Sequence, residues 1–392
     1  MPDLLVRNAG RVFGRELEGP TCIVVSQGRV AGFVAESQFG SDSLREVAPL
    51  DLSATPELDA RGRAVIPGFV DAHTHLVFAG DRSQEFDARL KGSAYQAGGI
   101  MSSVRATRAA TTEELTRGVT ERADKCLDGG TTTIEVKSGY GLDVDSERRS
   151  LQAIAEAAKH TSADLVPTFL GAHLDPEPGY IDMLINDMLP ACAPLAESCD
   201  SFCDVGAVSV EDSRKVLEAG RRHGLVSRIH AEELAHTGGA ALAAELRCAS
   251  ADHLVHATDE DARALAAAGV VAVLLPATSF CLRSSYAPAR KLVDAGATVA
   301  LATDCNPGTS YTTSMSFVIA VACSEYAMSV EEAVTAATRG GAAALRRHDI
   351  GHLAVGARAD MVVIDGDHWV DIAYHPGMDV IGHVVKGGIV VR

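Results

Sequence analysis

The sequence predicts an α/β protein, a (β/α)8 barrel of the TIM type with a smaller composite β-sandwich domain from both termini. Apolar, strand-like runs alternate with amphipathic helical runs through the middle of the chain, whereas both ends carry only short strand-like runs. Polar residues gather where the predicted strands end, as they do on the active face of a barrel. With 392 residues, 47% of them hydrophobic, the chain is long enough for both parts.

The two ends of the chain resemble each other in pattern. Residues 1–62 give short apolar runs separated by glycine and polar turns, without a helical period. Residues 345–392 have the same character and include the apolar run Val380–Val391. We therefore expect 1–62 and 345–392 to form one composite β-sandwich domain.

Residues 63–344 carry the predicted barrel. Apolar runs qualify as its eight strands at 66–72, 131–136, 165–170, 201–208, 225–231, 251–256, 270–275 and 298–303. Helical runs lie between them, among them 112–127, 146–160, 210–223, 235–246 and 259–268. Eight such repeats over about 280 residues favour a closed barrel. The alternative is a doubly wound open sheet, but no G-x-G-x-x-G follows any strand, so a dinucleotide site is unsupported.

Charge and cysteine use narrow the classes of function. The formal net charge of −17 disfavours nucleic acid and anionic membrane surfaces as partners. A small anionic substrate remains compatible, provided that its pocket supplies a local cation. The nine cysteines show no C-x-x-C spacing, so we expect neither a disulfide framework nor a zinc knuckle. The chain starts without a leader-like segment and has no membrane-length apolar run, so we expect a cytoplasmic protein.

Histidines and an aspartate stand at the ends of predicted strands one, five and eight. In His73-Thr74-His75 the two imidazoles lie on one face, because side chains alternate along a strand. His230 ends strand five and Asp304 follows strand eight. Three imidazoles and a carboxylate can bind one metal ion and leave a position for water. An isolated pair of histidines is as often hydrogen-bonded within a core, so the agreement between strand ends is what favours a metal site.

With this pattern the sequence resembles the amidohydrolase superfamily, whose members carry HxH on strand one, histidines on strands five and six, and aspartate on strand eight. The resemblance lies in the blocks DAHTHLVFAGDR (71–82), EVKSGYGL (135–142), FLGAH (169–173), HAEE (230–233) and ATDCNPGT (302–309). It implies one Zn²⁺ or Fe³⁺ ion per chain, bound by His73, His75, His230 and Asp304. It also implies that the substrate is surrounded by Arg82, Tyr140, His173, Glu233, Asn306, Gly308 and Thr309.

Within that superfamily the blocks are most similar to the branch that opens an imidazolone ring in histidine degradation. This implies hydrolysis of the cyclic amide C–N bond of 4-imidazolone-5-propanoate to N-formimidoyl-L-glutamate by a metal-activated water. It also suggests a homodimer. Arg82, shortly after the metal histidines, can meet the propanoate with two parallel charge-assisted hydrogen bonds. Its ordinary alternative is a surface salt bridge.

Candidate roles in proton transfer fall on four residues. Glu233 and Asp304 are candidate acid or base groups, and His173 and His253 are candidates for polarising the carbonyl and stabilising an oxyanion. Strand four at 201–208 has neither the Lys nor the Glu that bridges two ions in other members, so one ion is expected and His253 is left for proton work. Its alternative is a buried histidine with two satisfied nitrogens.

Two charged residues on predicted strand two, and three alternative functions, remain to be considered. We interpret Glu135 and Lys137 as a structural pair near the barrel mouth. A deaminase of N-formimidoylglutamate or of a nucleobase would use the same metal shell, and ammonia release would distinguish it. A metal-binding protein without catalysis would hold the ion but turn over nothing. A purely structural barrel would be indifferent to chelation.

Overall fold

The barrel is present. The structure is a computed structural model that describes residues 3–51, 53–91 and 99–392. Its largest sheet is parallel, and each of its eight strands pairs with the next along the chain. Numbered one to eight in chain order, these barrel strands are Phe69–Asp71, Thr131–Lys137, Asp164–Ala172, Ser198–Cys203, Val226–Ala231, Ser250–His253, Val271–Leu274 and Val299–Leu301. The predicted (β/α)8 fold is confirmed.

Strands eight and one meet along a seam that is joined by a few contacts just beyond their ends. The backbone N–H of Asp304 donates to the carbonyl of His73 at 3.0 Å. The buried carboxylate of Asp71 accepts from the backbone N–H of Thr303 at 3.1 Å and from its hydroxyl at 2.6 Å. Two predicted metal ligands therefore lie on either side of the seam.

Helices cover the outside of the barrel and the chain ends. The longer ones are Ile100–Ala109, Thr112–Asp128, Val144–Ala157, Val210–Arg222, Asp259–Ala268 and Met315–Glu325. The shorter ones are Ser41–Val47, Ser83–Leu90, Tyr180–Met183, Leu189–Cys192, Gly239–Glu245, Pro276–Leu282, Ala289–Asp294, Val330–Thr335, Gly341–Ala344 and Asp371–Tyr374. No helix within the described ranges is both long and apolar enough to cross a bilayer.

Two smaller sheets take strands from the ends of the chain. One has four strands, in the order Arg29–Ala35, Thr21–Ser26, Leu4–Ala9 and Glu57–Asp59. The other has five, in the order Ile389–Val390, Ile381–Lys386, Met361–Ile364, Ala64–Pro67 and Arg11–Val12. Residues from both termini therefore pair in a single sheet.

Side chains that alternate between two covered faces explain why the strand Ala64–Pro67 is apolar throughout. Val65 packs in a cluster between the two small sheets, together with residues such as Val6 and Met361. Its neighbour Ile66 points the other way and belongs to the main core, with Val362. A strand that is covered on both faces exposes neither face to water, so both of its faces carry apolar side chains.

The first predicted barrel strand, 66–72, is in fact two strands. Ala64–Pro67 pairs antiparallel with Met361–Ile364 in the five-stranded sheet, and only Phe69–Asp71 pairs with barrel strand two. Pro67 cannot donate a backbone hydrogen bond, and a Cβ on Gly68 would lie 2.4 Å from Thr132 Oγ1. The chain therefore passes from one sheet to the other at this dipeptide, a few residues beyond our expected boundary at 62.

Strand four also lies earlier than the predicted 201–208. It spans Ser198–Cys203, and the apolar residue Val205, which suggested a longer strand, is 60% exposed in a turn. The shift brings Asp200 into the strand, with its side chain fully buried.

Candidate metal centre

The four predicted metal ligands come together at the carboxyl ends of the barrel strands. His73, His75 and His230 each offer a nitrogen within 4.8 Å of the others. Asp304 Oδ1 lies 3.6 Å from His73 Nε2 and 3.5 Å from His75 Nε2. All four side chains are buried. This is a compact set of three imidazoles and one carboxylate.

The nitrogens of this cluster have the chemistry that a metal ion requires. His73 Nε2 and His230 Nε2 are buried and have no hydrogen-bond partner among the described residues. Burial lowers the pKa of His73 and of His75 well below the usual range, so both rings are neutral and offer a lone pair. Buried nitrogens without partners are costly, and a bound cation would satisfy them. The residues therefore fit a metal ion.

Asp304 is held in place by the helix Pro276–Leu282, which follows strand seven, and by its own backbone. The Thr278 hydroxyl donates to Asp304 Oδ2 at 2.6 Å, so Oδ1 is the oxygen that approaches the histidines. The backbone of Asp304 is left-handed, with φ of 51°, a conformation that aspartate tolerates better than most residues. Burial raises the pKa of Asp304 to about 6.

His253 and Glu233 lie beside the cluster. His253, His73 and Asp304 also form a group whose ligand atoms are within 4.8 Å. His253 Nε2 is 3.6 Å from Glu233 Oε2. Burial raises the pKa of Glu233 well above its usual range, helped by nearby carboxylates, whereas burial lowers the pKa of His253. Burial therefore favours the uncharged form of both side chains.

The loop that carries Glu233 is held by a carboxylate that sequence reasoning missed. Asp204 accepts hydrogen bonds from the backbone N–H of Glu233 at 2.7 Å, of Leu234 at 2.9 Å and of Ala235 at 3.2 Å. Such an arrangement fixes the backbone from which the Glu233 side chain projects. In the sequence Asp204 fell inside the predicted strand 201–208, and nothing local indicated its partner.

A pocket opens above the ligand cluster. It is lined by His75, Arg82, Ile100, Tyr140, His173, Leu174, Phe202, His230, Glu233, His253, Asp304, Asn306 and Thr309. The pocket therefore gathers most of the residues that the sequence indicated for the substrate. Gly308 is adjacent and lines a second, outer cleft that shares Arg82 and Thr309.

His173 and Tyr140 form one wall of this pocket. The His173 ring stacks on His75, with centroids 5.2 Å apart, and its Nδ1 lies 2.9 Å from the carbonyl of Gly139. That carbonyl fixes the proton on Nδ1 and leaves Nε2 as an acceptor. Burial lowers the pKa of His173 to about 3, which keeps the ring neutral. The Tyr140 ring lies 5.3 Å from His173.

Arg82 is buried and grips a neighbouring carboxylate. Its Nε donates to Glu85 Oε2 at 2.8 Å and its Nη2 to Glu85 Oε1 at 2.6 Å. A Cβ on Gly308 would lie 2.4 Å from Arg82 Nη1, so the glycine lets the guanidinium approach the loop after strand eight. The geometry shows that Arg82 can hold a carboxylate in the two-pronged manner expected of it.

Asn306 organises the loop that follows Asp304. Its Oδ1 accepts from the backbone N–H groups of Gly308 and Thr309, each at 2.8 Å. Its Nδ2 donates to the Asp304 carbonyl at 2.6 Å and to the Thr309 hydroxyl at 2.8 Å. The loop is thereby shaped as a small turn beside Arg82.

Comparison with known proteins agrees with this geometry. The model of the amidohydrolase family matches residues 64–390. An imidazolonepropionase of Mycolicibacterium smegmatis is 49% identical over 375 residues, which cover 94% of this chain and 90% of that protein. An imidazolonepropionase of Streptomyces griseus is 48% identical over 374 residues, covering 93% and 94%. The chain belongs to the amidohydrolase family, in its imidazolonepropionase branch.

Solved structures of more distant relatives show the same fold. N-isopropylammelide isopropylaminohydrolase from Burkholderia multivorans superimposes with a TM-score of 0.76 at 20% identity and covers 100% of this chain and 98% of that one. An adenosine deaminase from Xanthomonas campestris with bound zinc gives 0.71 at 19% identity, covering 99% and 92%. The family and the His/Asp cluster together support a metal cofactor in this chain.

Proposed function

We propose that this protein hydrolyses the cyclic amide bond of 4-imidazolone-5-propanoate and releases N-formimidoyl-L-glutamate, a step of histidine degradation. The observation that carries the proposal is a single pocket in which a carboxylate-gripping arginine stands beside a buried His/Asp cluster. Relatives that are about half identical over most of the chain are imidazolonepropionases. The product differs from the substrate by one added water, with the ring C–N bond broken.

We propose one metal ion, bound by His73, His75, His230 and Asp304. When bound, the ion supplies a Lewis acid that polarises the carbonyl and lowers the pKa of water. The ion is Zn²⁺ or Fe³⁺. The connected buried side chains have a formal charge of −2, since two cations face four carboxylates: Lys137 and Arg228 against Glu135, Asp200, Asp252 and Asp304. A bound cation would offset this buried negative charge.

The substrate's propanoate is assigned to Arg82. The guanidinium already holds the Glu85 carboxylate, so an incoming propanoate would share Arg82 with Glu85 or displace it. Tyr140 and His173 would then flank the imidazolone ring, and the Asn306 turn would present Gly308 and Thr309 to the substrate. Neutral His173 holds its proton on Nδ1, toward the Gly139 carbonyl, so its Nε2 can polarise the ring carbonyl only after it receives a proton.

The opposite pKa shifts of His253 and Glu233 suggest a division of work. His253 is neutral, so it can take a proton from the attacking water. The raised pKa of Glu233 favours its protonated form, which can donate a proton to the ring nitrogen as the C–N bond breaks. Asp304 keeps its place as a ligand. The distance of 3.6 Å between His253 Nε2 and Glu233 Oε2 allows the proton to be returned from His253 to Glu233 after each cycle.

The test is a direct assay on freshly made imidazolonepropanoate with the zinc-loaded protein. We expect mass spectrometry to show a gain of one water, with no ammonia. Stoichiometric ammonia, or turnover of a nucleobase with none of imidazolonepropanoate, would replace ring opening by deamination. Elemental analysis gives the identity and count of the metal, and light scattering tests the expected homodimer.

A further inference from the structure

The interior of the barrel contains a lysine in contact with three carboxylates. Lys137, on strand two, is fully buried. Its Nζ lies 2.7 Å from Asp200 Oδ2, 2.8 Å from Glu135 Oε1 and 3.7 Å from Asp252 Oδ2. We expected a structural pair of Glu135 and Lys137 at the barrel mouth. The pair is present, and it belongs to a larger cluster that joins strands two, four and six.

Each of the three carboxylates reaches a part of the metal-binding cluster. Asp252 Oδ2 lies 2.6 Å from His73 Nδ1, a short hydrogen bond that leaves Nε2 without a proton. Asp200 Oδ2 lies 3.1 Å from His230 Nδ1, as a close charge contact without an aligned hydrogen bond. Glu135 Oε2 accepts from the backbone N–H of Thr74 at 3.2 Å. Thr74 is the residue between His73 and His75, which follow strand one.

The ammonium group of Lys137 is therefore connected to all three imidazole ligands through the carboxylates that it contacts. His73 and His230 are reached through one carboxylate each, and His75 through the backbone that Glu135 holds. The backbone adds a further link, because the N–H of Lys137 donates to the carbonyl of Thr74 at 2.9 Å.

The other cation of the barrel interior does not duplicate this role. Arg228 lies 3.8 Å from Glu135 and 3.8 Å from Asp252. Its guanidinium donates to two backbone carbonyls, of Ala72 at 2.7 Å and of Ala344 at 2.9 Å. Without Lys137, Glu135 and Asp252 would face Arg228 alone and Asp200 would lose its lysine partner, so repulsion among the three carboxylates would drive them apart.

We propose that Lys137 is a positioning residue of the metal centre, whose ammonium group holds the three carboxylates that orient His73, His75 and His230 before the ion binds. The proposal rests on the metal site of the proposed function. It gives Lys137 no contact with substrate. Its consequence is that metal affinity and ligand geometry depend on a side chain that is not a ligand.

The test replaces Lys137 by methionine, which keeps the length of the side chain and removes its charge. Two readouts are measured on the full chain: the zinc dissociation constant by competition with a chromogenic chelator, and the visible spectrum after cobalt substitution, which reports ligand geometry. The matched control is Lys386→Met. Lys386 is also buried and also bridges two carboxylates, Asp164 at 2.7 Å and Asp360 at 2.8 Å, but it belongs to the five-stranded sheet.

We expect Lys137→Met to raise the zinc dissociation constant by about 10 to 100-fold, the usual effect of losing a partner of a metal ligand, and to change the cobalt spectrum. Lys386→Met should lose thermal stability while both metal readouts stay as in the parent. A folded Lys137→Met protein with parental zinc affinity and an unchanged cobalt spectrum would overturn the proposal.

Two further variants decide the matter if Lys137→Met does not fold. Asp200→Asn and Glu135→Gln each remove one negative charge from the cluster and leave the lysine in place. We expect each to weaken zinc binding by about tenfold, and parental affinity in both would contradict the proposal. Failure of the proposed function is separately visible, because a parent protein that binds zinc but leaves imidazolonepropanoate intact refutes the activity and not the role of Lys137.

Discussion

Replacing Arg82 by methionine tests how the substrate's carboxylate is recognised. Arg82 is 7% exposed, and its guanidinium forks onto Glu85 at 2.6 and 2.8 Å. Methionine fills a similar space but offers no charge and no donor. We expect kcat/KM for imidazolonepropanoate to fall sharply, with zinc content unchanged, because Arg82 is not among the metal-binding groups.

The magnitude follows from the environment of the guanidinium. Two unit charges about 4 Å apart interact by about 4 kcal/mol at an effective dielectric constant of about 20. Glu85 already neutralises part of the positive charge, so the substrate gains only a fraction of that amount. Losing a buried charged partner usually costs about 2 to 5 kcal/mol. We therefore expect about 2 to 3 kcal/mol, which corresponds to a roughly 30 to 150-fold loss of kcat/KM.

Steady-state kinetics on three variants make this test specific. Arg82→Met should show the loss. Glu85→Gln keeps a hydrogen-bond acceptor but removes the competing charge, so KM should stay near the parental value or fall. Arg89 contacts Glu85 and the Gly308 carbonyl and lines only the outer cleft, so Arg89→Met should have the smaller effect. A change of less than about threefold in Arg82→Met would mean that another group holds the propanoate.

Three further predictions concern the metal and the Glu233 loop. His230→Ala should lose most of the bound metal, and elemental analysis that finds parental content in this variant would contradict the assignment. Because the pKa of Asp304 is about 6 in the metal-free protein, a proton competes with the ion below that pH. Zinc affinity should therefore be flat above pH 6 and fall by about tenfold per pH unit below it, which competition titrations between pH 5 and 8 would show or refute. Asp204→Ala should lower kcat by about tenfold or more by releasing the backbone of Glu233, with zinc affinity retained. Parental kcat would mean that the loop does not need this carboxylate.

The barrel could be predicted because its signals are local. The helix Asp259–Ala268 has the bounds that the sequence indicated, since Thr258 and Asp261 form a capping box at its start. Strand two was predicted to within one residue, because its apolar and β-branched run is closed by glycines. Signals of this kind depend on a few adjacent residues, so they predict an element correctly without knowledge of its tertiary contacts.

The metal ligands could also be predicted, and for a geometric reason. In a parallel barrel the carboxyl ends of all strands lie on one face, so polar residues at strand ends converge even when they are far apart in sequence. His73 and Asp304 are an example, separated by more than half the chain but with ligand atoms 3.6 Å apart. The position of each strand end was enough to predict the metal ligands, and no tertiary contact had to be known.

The supporting carboxylates could not be predicted by the same reasoning. Asp200 and Asp252 lie within their strands, and which side chains they meet depends on the stagger of strands two, four, five and six across the barrel. Asp200 was also hidden because strand four was placed three residues too late. Asp252 adjoins His253 in the sequence, and that adjacency was the one available signal.

A bound metal ion would account both for the buried charged cluster around Lys137 and for the seam between strands eight and one. A cluster of five charged side chains inside a barrel destabilises the fold relative to an apolar core of the same volume, so its presence requires a function that apolar residues cannot perform. Orienting imidazoles is such a function. His73 and Asp304 stand on the two sides of the seam where, among the described residues, strands eight and one share no ladder of hydrogen bonds. At this point the seam is joined by two backbone hydrogen bonds, from the N–H of Asp304 to the His73 carbonyl at 3.0 Å and from the N–H of His75 to the Cys305 carbonyl at 2.9 Å. An ion bound by both His73 and Asp304 would add a further link across the seam, which couples the stability of the fold to the occupancy of its active centre.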